Sequence, residues 1–184
     1  MNSNSNSHAR RSIRVPGYDY SQPGAYFVTI CTYQHVHLFG NVVNGEMRLN
    51  GYGKIANDQW LRLEVRFNHI ELSEFIIMPN HMHGIIIINE AVGAGFTPAQ
   101  DEITTIGVGT SPTPTTMDGI LPRKTLGDIV GAYKSLVAGE CLKQAKSQKN
   151  YTGKLWQRNY YEHIIRNDDD LRTISDYIET NPLN

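Results

Sequence analysis

The stretch from residue 75 to 88, FIIMPNHMHGIIII, constrains the fold of this 184-residue chain more than any other. Two short apolar runs are separated by Pro79 and Asn80, a pattern that predicts two strands joined by a tight turn. Because side chains alternate along a strand, His81 and His83 share one face with isoleucines, and the opposite face is apolar as well. The stretch therefore predicts a central strand covered on both sides, with two imidazoles side by side near its first residue.

Two neighbouring imidazoles in a partly buried place are natural ligands for one divalent cation, because charging both of them there is costly. The alternative is a pair of histidines at the edge of the core that hydrogen-bond to the backbone. His-x-His is a short and common pattern, so the spacing of His81 and His83 alone leaves both interpretations open.

The composition is that of a single globular domain, since 184 residues, 40% of them hydrophobic, can bury one core. The sequence contains no apolar run of membrane-spanning length and does not begin with a signal-peptide pattern, so we expect a soluble, cytoplasmic protein. Cys31 and Cys141 are too few and too far apart for a disulfide framework or a structural zinc site. We expect both to be buried thiols.

Charge is distributed unevenly along the chain, although the formal net charge is only −1. Between positions 123 and 158, eight residues are basic and two are acidic, and three further arginines lie near the start. Such an asymmetry is typical of a phosphate-facing surface, but it also fits a solvated helix face. The candidate nucleic-acid contacts are Arg10, Arg11, Arg14, Arg123, Lys124, Lys134 and Arg158.

Strands and helices are predicted to alternate along the chain. Apolar, β-branched and aromatic runs predict strands over 25–32, 70–78, 81–88 and 160–165, with 36–39 as an extension of the first. Asn44-Gly45 predicts a two-residue hairpin turn within 41–49. Helical spacing predicts helices over 54–66 and 125–145, the second starting at a capping box of Thr125 and Asp128.

Two segments lack the residues needed to build a core. Residues 1–14 are polar and end in arginines, so they predict a disordered basic arm. Residues 91–122 are rich in Gly, Pro and Thr and predict a flexible excursion from a single domain spanning 15–184. That excursion could touch a ligand or be an inert insertion.

The last predicted helix carries a tyrosine at a useful position. Asn167 followed by three aspartates predicts a helix start, and Pro182 predicts an end near residue 180. Tyr177 lies on the flank of the inward-facing apolar stripe, from where its hydroxyl can reach a cleft. The stripe itself consists of Leu171, Ile174 and Ile178.

Three stretches taken together, MPNHMHGIIII, WQRNYYEHIIR and the terminal DYIETNP, resemble the single-tyrosine transposases of the HUH endonuclease superfamily. Among these, the chain is most similar to the REP-associated tyrosine transposases. The opening RSIRVPGYDYSQPGAYFVTICT is similar to that family's start, so the resemblance runs from about residue 10 to the end. It implies an α+β, ferredoxin-like sandwich with helices packed on a central antiparallel sheet.

The resemblance also implies roles for individual residues. His81 and His83 would hold a divalent metal, Mg²⁺ or Mn²⁺, and Asn181 would complete the metal site. Tyr177 would be the nucleophile of a metal-dependent endonuclease and strand transferase. Its substrate would be single-stranded or hairpin DNA, cut through a 5′-phosphotyrosine intermediate. The protein would act as a monomer or a homodimer.

Other interpretations of the same residues stay open. The protein could bind DNA or RNA hairpins without cutting, or it could be a metal hydrolase of small phosphoesters. Tyr160 and Tyr161 are rival nucleophiles by composition, although packing or base stacking is the simpler role for them. His35 and His163 are expected to be structural or at the surface, and Trp60 in the core. Contacts with DNA are also possible for Trp156, Gln157 and Arg158.

Overall fold

The computed structural model of the chain describes residues 14–90, 124–147 and 153–183. The predicted arm, with Arg10 and Arg11, lies outside the described residues apart from residue 14, and so do the excursion at 91–122 and Arg123. The strands of the described part are β1 (Gly24–Cys31), β2 (Gly40–Val43), β3 (Glu46–Leu49), β4 (Ile70–Ile77), β5 (His81–Ile88) and β6 (Tyr161–Ile165). Its helices are α1 (Gly51–Leu61), α2 (Leu63–Arg66), α3 (Leu126–Ser147) and α4 (Asp168–Thr180).

Four of these strands form one antiparallel sheet in the order β4, β5, β1, β6. β5 lies inside the sheet between β4 and β1, as the apolar character of both its faces predicts. β2 and β3 form a separate hairpin. The predicted α+β fold, a central antiparallel sheet with helices packed on it, is confirmed.

One face of the sheet forms the main core with α1 and α3. Trp60, predicted to be a core residue, is fully buried there between Tyr133 and Phe75, with ring centroids 5.2 and 6.0 Å away. Gly84 of β5 faces this ring, because a Cβ at that position would lie 2.4 Å from Trp60 Cζ2. The glycine therefore lets the indole lie directly on the strand that carries the two histidines.

The opposite face of the sheet is covered more thinly, by α4. All residues of α4 are described, and only Ile178 among them is buried. A register shift in β4 between Leu72 and Phe75 spans Glu74, whose Oε2 accepts a hydrogen bond from Ser175 Oγ at 3.0 Å. Ile178 and the hydrogen bond between Ser175 and Glu74 therefore both help to hold the helix on the sheet.

Several local predictions are confirmed by geometry. Asn44 and Gly45 have φ values of 54° and 78°, as a two-residue hairpin turn requires. Asn167 Oδ1 accepts from the Asp170 backbone N–H at 2.8 Å and starts α4. Thr125 and Asp128 exchange hydrogen bonds at the start of α3. Both cysteines are free and buried.

One prediction of local structure is wrong, and one predicted helix has different bounds. Residues 36–39 do not extend β1, because a 3₁₀ turn at Tyr33–His35 intervenes, in which Gln34 and His35 both have a φ of 54°. The helix predicted over 54–66 begins at Gly51, since Asn50 Oδ1 accepts from the Gly53 N–H and caps it, and it divides into α1 and α2. Within the described segments, we find no helix with the length and apolarity of a membrane span.

Candidate active site

β5 brings His81 and His83 together on the α4 face of the sheet. Their ring centroids are 4.7 Å apart, with the planes at 71° to each other. His83 is only 5% exposed, and its ring stacks on Phe27 of β1 at 5.3 Å. The pair therefore consists of one buried imidazole and one half-buried imidazole nearer the start of the strand.

The Nδ1 atom of each ring already has a partner in the protein. His81 Nδ1 donates to Asn80 Oδ1 at 2.6 Å, because an amide oxygen can only accept. His83 Nδ1 lies 2.8 Å from Thr29 Oγ1. Such bonds fix the orientation of a ring and leave its Nε2 atom to bind a ligand.

Burial also determines the charge of the pair. It lowers the pKa of His83 to about 4, and His81 nearby adds to this effect. Burial likewise lowers the pKa of His81, with a smaller contribution from His35. Both imidazoles are therefore neutral at pH 7, which is the form that binds metal ions.

α4 places the predicted nucleophile beside this pair. Tyr177 Oη lies 3.3 Å from His83 Nε2, and the two ring centroids are 5.2 Å apart. The tyrosine also meets Phe27 edge to face at 6.3 Å, yet 45% of its surface stays exposed. The structure thus holds an accessible phenol against a buried neutral imidazole.

Asn181 follows directly after α4 and is 7% exposed. Its φ of −55° and ψ of −39° are still helical, so it continues the helix one turn after Tyr177. Among residues 14–90, 124–147 and 153–183, no group of three or more His, Cys, Asp or Glu side chains could hold a metal ion. The role of Asn181 as the third metal ligand therefore stays a prediction.

Arg14, a predicted DNA contact, is engaged within the protein. Its guanidinium lies over the rings of Tyr20 and Tyr160, 5.7 and 5.2 Å from their centroids, and donates to Tyr160 Oη at 3.0 Å. Its Nε is 3.8 Å from Oε2 of Glu162, whose side chain is 3% exposed. Tyr160 is therefore a packed residue, as its simpler interpretation predicts.

Lys134 is likewise directed into the protein, since its ammonium donates to the carbonyls of Gln157, Arg158 and Asn159 at 2.6, 3.2 and 3.2 Å. Burial lowers its pKa. Lys124 and Arg158 have exposed side chains. For all of these residues, contact with DNA stays a prediction.

Trp156 does not lie at the surface. It is 8% exposed, forms an isolated bridge with Thr32 at the end of β1, and its Nε1 donates to the Lys134 carbonyl at 3.0 Å. The basic residues around it in the sequence predict a DNA contact, but its ring belongs to the core. That hypothesis is therefore wrong for Trp156.

Sequence reasoning missed several residues around the histidine pair. Thr29 and Glu74 have no local motif and reach the site through strand pairing and a bulge. His35 lies at the surface as predicted, and its Nε2 accepts from Gln157 Nε2 at 2.8 Å. His163 lies at the surface as predicted, 2.8 Å from Asp170 Oδ2.

A comparison with solved structures supports the assignment of the fold. A solved structure of a REP-associated tyrosine transposase bound to a REP hairpin superposes with a TM-score of 0.57 at 17% identity, covering 92% of this chain and 72% of that one. The chain therefore has a transposase-like fold. A candidate transposase from Deinococcus radiodurans gives a TM-score of 0.43 at 18% identity, over 90% of this chain and 95% of that one, which is too loose to add to the assignment.

A sequence relative then defines the family. An uncharacterized protein from Haemophilus influenzae is 37% identical over 182 residues, which are 98% of this chain and 92% of that protein. The chain belongs to the same family as that protein. No protein-family model matches the chain.

Proposed function

We propose that this protein nicks and rejoins DNA in transposition, acting on single-stranded or hairpin DNA through a covalent link to Tyr177. The observation that carries the proposal is the 3.3 Å separation between Tyr177 Oη and Nε2 of the buried His83. The transposase with the similar fold is described with a REP hairpin bound, which supports a hairpin-type substrate for this chain.

The two imidazoles fit a divalent metal ion of the kind that the family resemblance implies. Burial keeps both rings neutral, and their bonded Nδ1 atoms leave Nε2 of His81 and of His83 as ligands, with Asn181 proposed as a further donor. When bound, Mg²⁺ or Mn²⁺ supplies Lewis-acid stabilisation of the charge that develops on a scissile phosphate.

Tyr177 provides the nucleophile in this scheme. Its oxygen forms a bond to phosphorus while the bond from phosphorus to the 3′ oxygen breaks. The phenolic proton is lost, and the departing 3′ oxygen takes up a proton, so the products are a 5′-phosphotyrosine and a free 3′-hydroxyl. Because the phosphodiester bond energy is retained, a second 3′-hydroxyl can reverse the step and join a new strand.

Phe27 and Thr29 support the reacting groups from β1. Phe27 contacts both His83 and Tyr177, so it sets the spacing of the two rings. In the tautomer protonated on Nδ1, His83 donates to Thr29 Oγ1 and keeps its Nε2 lone pair facing the phenol. These packed contacts hold the site together before DNA arrives.

The test is covalent capture of labelled DNA. Hairpin oligonucleotides with unpaired flanks are incubated with the protein and Mn²⁺, and adducts are separated under denaturing conditions. We expect Tyr177→Phe to lose the adduct while still binding the hairpin. Tyr160→Phe and Tyr161→Phe are the matched controls and should keep it. An adduct in Tyr177→Phe would show that the nucleophile is assigned wrongly.

The same assay separates the rival functions. Hairpin binding without any adduct in the wild-type protein, across several substrates, would support a non-cutting binding protein instead. Hydrolysis of a small phosphoester that survives Tyr177→Phe but not His81→Ala would support an ordinary metal hydrolase.

A further inference from the structure

The exposed tyrosines of the described residues lie on α4, on β6 and in the turn after β1. Nine tyrosines lie in the described residues, and three of them are exposed: Tyr33 at 39%, Tyr161 at 57% and Tyr177 at 45%. Tyr177 is the proposed nucleophile, and the other two have no role in the reaction described above. Single exposed aromatic residues are ordinary, but a group of them around one site indicates a surface that meets a ligand.

Tyr161 lies on the same face of the sheet as the two histidines. It pairs with Thr29 across β6 and β1, and Thr29 pairs with His83 across β1 and β5, so the three residues form one row. Cross-strand partners share a face, and adjacent strands are about 4.8 Å apart. The backbones of Tyr161 and His83 are therefore about 10 Å apart.

Tyr33 lies in the turn that follows β1, next to Thr32, whose backbone N–H donates to the Asn80 carbonyl at 2.9 Å. It follows two residues after Cys31, whose cross-strand partner is His81, and Lys154 Nζ lies 5.3 Å from the centroid of its ring. The turn that Tyr33 opens is held by the left-handed residues Gln34 and His35. The backbone next to Tyr33 is thus bonded to Asn80, the residue that precedes His81, and the Tyr33 ring has a lysine beside it.

These contacts point to a ligand with flat rings and negative charge. An aromatic face paired with a lysine suits a nucleotide, whose base can stack while its phosphate meets the ammonium. Lys154 is exposed, and Arg158 lies between it and Tyr161 in sequence with an exposed side chain. A protein partner would not need the positive charge next to the exposed ring of Tyr33.

We infer that Tyr33 and Tyr161 are stacking platforms for unpaired bases of the DNA strand that flanks the scissile phosphate. The inference rests on the proposed function, because it takes the histidine pair as the place where the phosphate binds. Tyr161 would hold a base on the β6 side of the pair, and Tyr33, with Lys154, a nucleotide beyond His81. A paired stem cannot use these platforms, since its bases are already stacked on one another.

The test compares two DNA probes on a protein that cannot cut. All variants are made in the Tyr177→Phe background and measured in EDTA by fluorescence anisotropy. One probe is a hairpin with unpaired flanks, and the other is the same hairpin with blunt ends. Tyr33→Ala and Tyr161→Ala should each bind the flanked hairpin about 5- to 150-fold more weakly, which corresponds to about 1–3 kcal/mol per stacked base.

Matched variants make the result specific. Binding of the blunt hairpin by the alanine variants should change by less than about twofold, and Tyr161→Phe should restore binding of the flanked one, because the ring is kept. Val65→Ala removes another exposed apolar side chain, 89% exposed on α2, and should leave both affinities unchanged. Unchanged melting temperatures would show that the variants fold.

Each remaining outcome contradicts the inference. Equal affinity of the alanine variants and the parent protein for the flanked hairpin would refute stacking. An equal loss of affinity for the flanked and the blunt hairpin would show that the two rings contact the paired stem instead. If the wild-type protein still forms the covalent adduct in these cases, the proposed function stands and only this inference falls. If the parent binds no DNA at all, both fall together.

Discussion

Burial of His83 makes the stability of the folded protein depend on pH in a defined direction. Its pKa is about 4 in the folded protein, below the value of about 6.5 expected in the unfolded chain. Between these two values the unfolded chain binds a proton that the folded protein does not. The free energy of unfolding is therefore fully retained above pH 6.5 and falls as the pH is lowered toward 4.

The size of the effect follows from the separation of the two pKa values. A separation of about 2.5 pH units contributes about 3 kcal/mol at most to the free energy of unfolding. About 2 kcal/mol of this contribution is lost between pH 7 and pH 5. Urea unfolding in EDTA, followed by fluorescence of the buried Trp60 and Trp156, measures this loss. His83→Gln should lose about 2 kcal/mol less than the wild-type protein over the same interval.

The difference between the wild-type protein and His83→Gln excludes the contributions of other titrating groups to the pH dependence of stability. Asp170 and Glu74 have lowered pKa values because of hydrogen bonds from His163 and Ser73, and both weaken the protein at acid pH. They are present in both proteins, so their contribution cancels in the difference. Parallel losses of stability in the wild-type protein and His83→Gln would refute the argument from burial.

Three further substitutions test the surroundings of the site. Gly84→Ala should lower the free energy of unfolding by about 1–3 kcal/mol in urea titrations, because its Cβ meets Trp60, whereas Gly131→Ala, in open space on α3, should not destabilise the protein. Thr29→Val should weaken Mn²⁺ binding about 10- to 100-fold in calorimetry by removing the partner of a ring nitrogen, while a serine there should restore it. Glu74→Ala should slow adduct formation without weakening hairpin binding, because it removes the hydrogen bond that holds α4 on β4. Glu74→Gln keeps a hydrogen-bond acceptor and should therefore form the adduct faster than Glu74→Ala. Equal rates for the two Glu74 variants would contradict a positioning role.

The elements that could be predicted from sequence are those set by local pattern. The alternation in 81–88 predicts an interior strand with both histidines on one face, and β5 has this form. Asn44-Gly45 and Asn167 carry their own turn and capping signals, so their geometry is confirmed. The flank position of Tyr177 on α4 also follows from helical spacing, and the structure places the residue beside His83.

The residues that could not be predicted reach the site through contacts that are distant in sequence. Thr29 lies 54 positions from His83, and only the register of β1 against β5 brings them together. The turn at Gln34 and His35 has left-handed backbone angles but contains no glycine, so the sequence gives no signal for it and 36–39 is wrongly predicted to extend β1. Trp156 is surrounded by basic residues in sequence, but its ring packs against Phe39 and Tyr133, which are distant in sequence.

The arrangement of the site also limits how its parts can act together. His83 Nε2 has one lone pair, and in the structure the hydroxyl of Tyr177 lies within hydrogen-bonding distance of it. The same nitrogen cannot bind a metal ion and accept from the phenol at once, so a site that holds an ion must release the hydroxyl. In the proposed reaction, that release would free the phenol to attack the phosphate, and α4 would stay attached to the sheet through the buried Ile178 and the hydrogen bond to Glu74. In the proposed strand transfer, α4 would carry the nucleophile that moves, and β5 would hold the two histidines in place.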